Sequence, residues 1–140
     1  MTLQEKQNEL IDSYSVIEDP LERFQIIVDS GASKLRGFPK EYQIDENLVE
    51  GCQSSVWLVG KIEPDTGLFD LQMDSDAPAL KGVVALFAEL YSGVRPDEVI
   101  EVEPEFLDRL GISGILTTTR RRGLGFVRAK IVQLAGQRND

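Results

Sequence analysis

The sequence predicts an α+β fold in which a small, mostly antiparallel sheet is packed by helices. Two observations carry this prediction. Val56–Ile62 and Phe69–Met73 read as strands, and Glu63-Pro64-Asp65-Thr66-Gly67 between them reads as a turn, so the pair forms an antiparallel hairpin. On both sides of that hairpin the apolar residues recur at helical spacing. The 140 residues are taken as one domain, 1–140, large enough to bury a core without disulfides or a structural metal.

From Gln4 to about Ile17, Leu10, Tyr14 and Ile17 fall on one side of an amphipathic helix that ends near Glu18. Asp19-Pro20 then supplies a capping side chain followed by proline at the first helical position, where its missing N–H costs nothing. The second helix runs from Pro20 to about Ser30 or Leu35. Leu21, Phe24, Ile27, Val28 and Leu35 form its inward stripe, with Glu22, Arg23, Gln25 and Asp29 mostly outward. Gly37-Phe38-Pro39-Lys40 breaks the pattern and opens a loop that runs through Asn47. After the hairpin, Ala77 to about Ser92 is the most apolar helix, with Leu80, Val83, Val84, Phe87, Leu90 and Tyr91 directed to the core and Gly93 ending it. Short helical turns are expected at Pro96–Val99 and Glu103–Leu110, the latter stopped by Gly111, and Ile112–Leu116 is expected to be extended. A last helix begins with Thr118 or Thr119 as N-cap and runs to about Ala135, with Leu124, Val127, Ile131 and Leu134 inward.

Composition removes several classes of function. With 24 acidic against 15 basic residues the net charge is −9, which disfavours non-specific binding to nucleic acid or an anionic membrane. No apolar run is long enough for a membrane span, and no signal peptide is visible, so a cytoplasmic location is expected. There is no histidine, which excludes Cys-His and Ser-His-Asp nucleophile activation and imidazole metal ligands. The single cysteine allows no internal disulfide and is too few for an iron–sulfur cluster held by one chain.

That cysteine, Cys52, lies in Val49-Glu50-Gly51-Cys52-Gln53-Ser54-Ser55-Val56-Trp57 beside the only tryptophan. It sits on a polar loop entering the sheet, where functional groups concentrate, and Gly51 before it permits positive φ and close approach. A free cysteine is also among the side chains most often buried, so a structural role stands beside the reactive one. A thiol that only accepts and passes on sulfur needs no neighbouring base, because the thiolate is the nucleophile. Asp70, Asp74 and Asp76 cluster at the exit of the hairpin, but their spacing is not that of a calcium loop, and Asp76 is expected to cap the following helix. Arg120, Arg121 and Arg122 sit in a first helical turn that favours acids. They form either a solvated basic face or an anion-attracting spot at which Arg120 stabilises a thiolate or persulfide or pairs with Asp74 or Asp76.

Gly51-Cys52-Gln53-Ser54-Ser55-Val56-Trp57 resembles the active-site segment of the SufE sulfur-acceptor family. Two further stretches resemble that family in order and spacing: Asp74-Ser75-Asp76-Ala77 with the Lys81-Gly82 that follows, and Leu116-Thr117-Thr118-Thr119-Arg120-Arg121-Arg122-Gly123-Leu124. Thr118, Thr119 and Arg122 stand where the family usually has Pro, Ser and Asn. The resemblance runs from about Leu21 into the C-terminal helix and implies the α+β architecture shared with NifU-like scaffold proteins. It also brings Arg120 near Cys52 and implies supporting roles for Gly51, Gln53, Ser54, Asp74 and Asp76.

The function the resemblance implies is sulfur acceptance in iron–sulfur cluster assembly. A SufS-like cysteine desulfurase, which owns the pyridoxal phosphate, would load Cys52 with a persulfide, and a downstream iron–sulfur scaffold would receive the sulfur. The chain itself needs no cofactor and no resident metal, and is expected to stimulate the desulfurase rather than turn over alone. Leu48, Val49 and Trp57 are the expected shelter of a Cys52 loop that moves when docked. Two alternatives are a binding-only allosteric activator of the desulfurase and a one-cysteine peroxidase whose thiolate reduces peroxide.

Overall fold

The hairpin forms at the positions the alternation indicates. β1 (Val56–Ile62) pairs antiparallel with β2 (Phe69–Ser75), from Val56 opposite Ser75 to Ile62 opposite Phe69. β2 runs two residues past Met73, which brings Asp74 and Ser75 into the ladder. The intervening turn closes through Glu63 N–H donating to Leu68 O and Gly67 N–H donating to Glu63 O, with Gly67 at φ 72°. Because side chains alternate along a strand, Val56, Leu58, Phe69, Leu71 and Met73 share one buried face. The computed structural model describes residues 1–35 and 37–137.

Seven helices surround the hairpin among the described residues: α1 (Leu3–Ser15), α2 (Pro20–Lys34), α3 (Pro78–Leu90), α4 (Pro96–Glu101), α5 (Phe106–Arg109), α6 (Ile112–Ile115) and α7 (Thr118–Ala135). α3 lies on β2 and α7 on β1, with α2 packed outside α3, so the core sits between sheet and helices. The six core residues expected on α3 and its C-cap are all buried, Val83, Val84, Phe87 and Tyr91 completely. Each large one stabilises the fold by about 1.5–3 kcal/mol through burial. Gly93 follows at φ 69°. The α2–α3 contact is backbone against backbone. A Cβ on Gly31 would overlap Gly82, and one on Gly82 would overlap the carbonyl of Ile27.

Four expectations are corrected. The inward face of α1 is Leu3, Gln7 and Ile11, with Leu10 and Tyr14 only partly buried, and Ile17 lies beyond the helix. Gln7 is fully buried because its amide donates to Glu103 O and accepts from Phe106 N–H, a pairing that hydropathy cannot reveal. On α2, Leu21 is exposed, whereas Arg23, assigned outward, is 9% exposed. Its guanidinium donates to the carbonyls of Ile17, Tyr14 and Leu110, which lie at or just beyond the C-terminal ends of α1 and α5. Ile112–Ile115 is a turn of helix rather than extended, entered through Gly111 at φ 74°. α7 begins one or two residues earlier than expected, with Thr117 as N-cap accepting from Arg120 N–H. α7 is also tied to α4 by Arg128, which donates to Val99 O and Ile100 O while lying 5.2 Å from the ring centroid of Tyr91.

No helix among the described residues is long and apolar enough to cross a membrane.

Candidate functional site

The loop that carries Cys52 is pinned at both ends by hydrogen bonds to the hairpin and its flanks. Val49 N–H donates to Val56 O on the entering side, and Leu48 bridges to Trp57. On the leaving side, Ser55 N–H donates to the Asp76 carboxylate at 3.0 Å while Ser55 O accepts from the Ser75 hydroxyl at 2.8 Å and from Asp76 N–H. The loop must reverse between these anchors. It does so at Gly51, φ 92°, where any Cβ would run into the ring of Phe126, 2.7 Å away.

The turn delivers the thiol onto α7. Cys52 is half-buried, and its Sγ–H donates to Gly123 O at 3.4 Å. Gly123 has no side chain to interfere, since its missing Cβ would lie 3.4 Å from Sγ. Beside the sulfur is a recess of about 10 Å³, room for little more than one water-sized atom. Leu80, Val56, Leu124 and Val127 give it an apolar lining, and Gln53, Ser54, Thr119 and Arg120 complete its wall.

Burial pushes the Cys52 thiol above its ordinary value, because removal from water penalises the charged thiolate. The resting thiol is therefore protonated, in agreement with its donation to Gly123 O. Cys52 should alkylate with iodoacetamide along a pH profile whose midpoint lies above the free-thiol value of about 8.5. A midpoint at or below that value would contradict the buried geometry. A pKa raised by folding stabilises the native state below the unfolded-state value and loses that contribution as pH rises through the folded one.

The expected site residues divide into three groups. Cys52, Gln53, Ser54 and Arg120 line one recess, and Gly51 makes the turn that feeds it. Asp76 holds the loop base but does not cap α3, whose N-cap is Ala77 without a side-chain bond. Its carboxylate is turned back to Ser55 N–H instead. Asp74 lies outside the recess, accepting from Gln43 Nε2 at 2.9 Å and lying 3.8 Å from Lys81 Nζ. Among the described ion pairs Arg120 joins neither Asp74 nor Asp76. The basic run is partly explained by Arg121, which donates to Ser113 O, Leu116 O and the Thr118 hydroxyl and so satisfies the end of α6.

The shelter expected from Leu48, Val49 and Trp57 is also corrected. None of the three lines the recess, which is closed instead by α7 and Leu80. Trp57 stands opposite Asp74 in the ladder, on the other face of the strand from Val56 and Leu58. Sequence reasoning missed Gly123 as a site residue, although a glycine within a helical run is a signal of close packing or function. No group of three or more Cys, Asp or Glu among the described residues is arranged to hold a metal.

The family model described as SufE, Fe-S metabolism associated domain, matches residues 8–135. The chain belongs to the SufE family. An uncharacterized SufE-like protein of Synechocystis is 32% identical over 114 residues, covering 81% of this chain and 70% of that one. One from Rhizobium etli is 29% identical over 120 residues, covering 84% and 80%. A solution structure of a hypothetical protein from Thermus thermophilus superposes with a TM-score of 0.74 at 23% identity and 93% coverage of each chain, so the fold is shared. Membership in the SufE family connects the chain with iron–sulfur metabolism.

Proposed function

We propose that Cys52 accepts sulfur from the persulfide of a cysteine desulfurase and passes it to an iron–sulfur scaffold. The observation that carries this reading is a lone thiol set over an apolar recess with room for little more than one added atom. In the transfer, the Cys52 thiolate attacks the outer sulfur of the donor's persulfide. A new S–S bond forms at Cys52 as the donor's S–S bond breaks, and the donor cysteine leaves as a thiolate, so no external oxidant or reductant is needed. The pyridoxal phosphate that generates the donor persulfide belongs to the partner.

The raised thiol fits a carrier that is silent at rest. In the recess Cys52 is protonated and poorly nucleophilic. Docking draws the loop outward, water and the partner's groups replace the apolar wall, and the thiolate forms where the donor persulfide is presented. After loading, return to the recess keeps the terminal sulfur from reductants and oxidants. The same raised thiol argues against a peroxidase, which requires a low-pKa thiolate exposed to peroxide.

Intact mass after incubation with a SufS-class cysteine desulfurase and cysteine tests the proposal. The expected result is the gain of one sulfur atom, removed by a thiol reductant and abolished in Cys52→Ser. No gain while the desulfurase is active, or stimulation of the desulfurase that survives Cys52→Ser in full, would reject sulfur transfer in favour of a binding-only activator.

A further inference from the structure

A separate face of α7 forms an open groove of about 460 Å³ with the segment leading into Cys52. Its lining includes Phe126, a residue 41% exposed whose ring also packs against Gly51. Its rim carries Asp45, Glu46 and Glu50, all exposed. None of these carboxylates joins an ion pair among the described residues. The cation in the groove, Lys130, donates to Leu48 O at 3.3 Å.

We propose that this groove seats a basic segment of the persulfide donor, with an arginine or lysine carried over the Phe126 ring and between the rim carboxylates. The inference rests on the acceptor reading of Cys52 and assigns the surface by which the donor is held. The charge complementarity is specific: an aromatic face attracts a cation, carboxylates bind guanidinium or ammonium, and three acids against one lysine in the groove steer a basic partner during encounter. The position also matters. The ring that would receive the cation is the one against which Gly51 turns, so an occupied groove lies one residue from the sulfur acceptor.

The test measures sulfur uptake from a SufS-class cysteine desulfurase and cysteine at varied acceptor concentration, by intact mass. Asp45→Lys/Glu46→Lys should raise the half-saturating concentration on the order of tenfold, act less on the saturated rate, and weaken the salt dependence of uptake. Phe126→Leu, which retains bulk against Gly51 but removes the ring, should raise it by a smaller factor. Asp12→Lys/Glu18→Lys, an equal charge change on exposed residues outside the groove, should leave it unchanged. Wild-type uptake with no shift in the groove variants, or an equal shift in both double variants, overturns the groove assignment alone. Absence of wild-type uptake overturns the acceptor reading and the groove with it. A concentration-dependent dimer of the protein alone, abolished by Asp45→Lys/Glu46→Lys, would give the groove to a second copy and overturn the proposal.

Discussion

Gly82→Ala should lower the unfolding free energy by about 2–3 kcal/mol, the cost expected when extra volume is forced into a packed interior. On local propensity the change should help, because glycine inside a helix is less favourable than alanine by about 0.5–1 kcal/mol. The packing decides the sign. The added methyl would fall on the carbonyl of Ile27, with the Cα of Val28 2.8 Å away. These are backbone atoms of a regular helix and cannot rotate aside as a side chain can, so α2 must move off α3. That separation would open the packed contact between α2 and α3, losing contacts well beyond the methyl itself. Gly125→Ala is the matched control, since its Cβ would meet nothing within 4 Å, and it should be neutral or slightly stabilising. Denaturant midpoints with unchanged slopes would measure both. A Gly82→Ala protein as stable as wild type would show that the two helices are not held at backbone contact.

The second large effect is expected at Gly123. Gly123→Leu should drive Cys52 out of its recess and raise its alkylation rate at neutral pH, because the exposed thiol loses the burial that holds its pKa up. A recess of about 10 Å³ cannot hold both the sulfur's free side and a branched side chain. Gly123→Ala separates this from a general disturbance of the helix. Its single methyl would stand 3.4 Å from Sγ, an ordinary van der Waals distance, and alanine should firm the helix. The alanine protein should therefore keep the raised thiol and the leucine protein should lose it. If the sulfur carrier reading is correct, a persulfide loaded on the Gly123→Leu protein should also be reduced faster by added thiol than one on wild type. Equal alkylation rates in the leucine and wild-type proteins would mean that Gly123 does not set the position of the sulfur.

Both predictions concern glycines that the sequence displays without explaining. Gly82 and Gly123 interrupt helical runs, and such interruptions mark close approach or function. What approaches was not written locally. Gly82 meets a helix far earlier in the chain, and Gly123 meets Cys52, 71 residues before it. The elements with strong periodicity were legible for the opposite reason. The hairpin pattern and the apolar face of α3 are repeated over successive residues, and each is dictated by one local geometry, extended or helical. The failures fell on polar side chains buried for hydrogen bonds to carbonyls outside their own helix. Gln7 and Arg23 look like surface residues until the carbonyls of Glu103, Ile17 and Leu110 are brought to them. The short α6 lacked the length for a period to appear.

The sequence by itself determined the α+β class, the hairpin with its antiparallel pairing, the principal core helix, and Cys52 as the only thiol available for covalent chemistry. It also brought the chain to the SufE family through three separated segments. Only the tertiary structure decided what those segments do to one another. The Cys52 loop is fastened through Ser55 by Asp76, which is not a helix cap. The thiol rests against α7 rather than Trp57, with a pKa raised by burial rather than lowered by Arg120. The physical reason is one of range. Strand and helix patterns follow from backbone sterics and from which neighbouring residues share a face, whereas the protonation and accessibility of a sulfur depend on the solvent it loses to groups far along the chain.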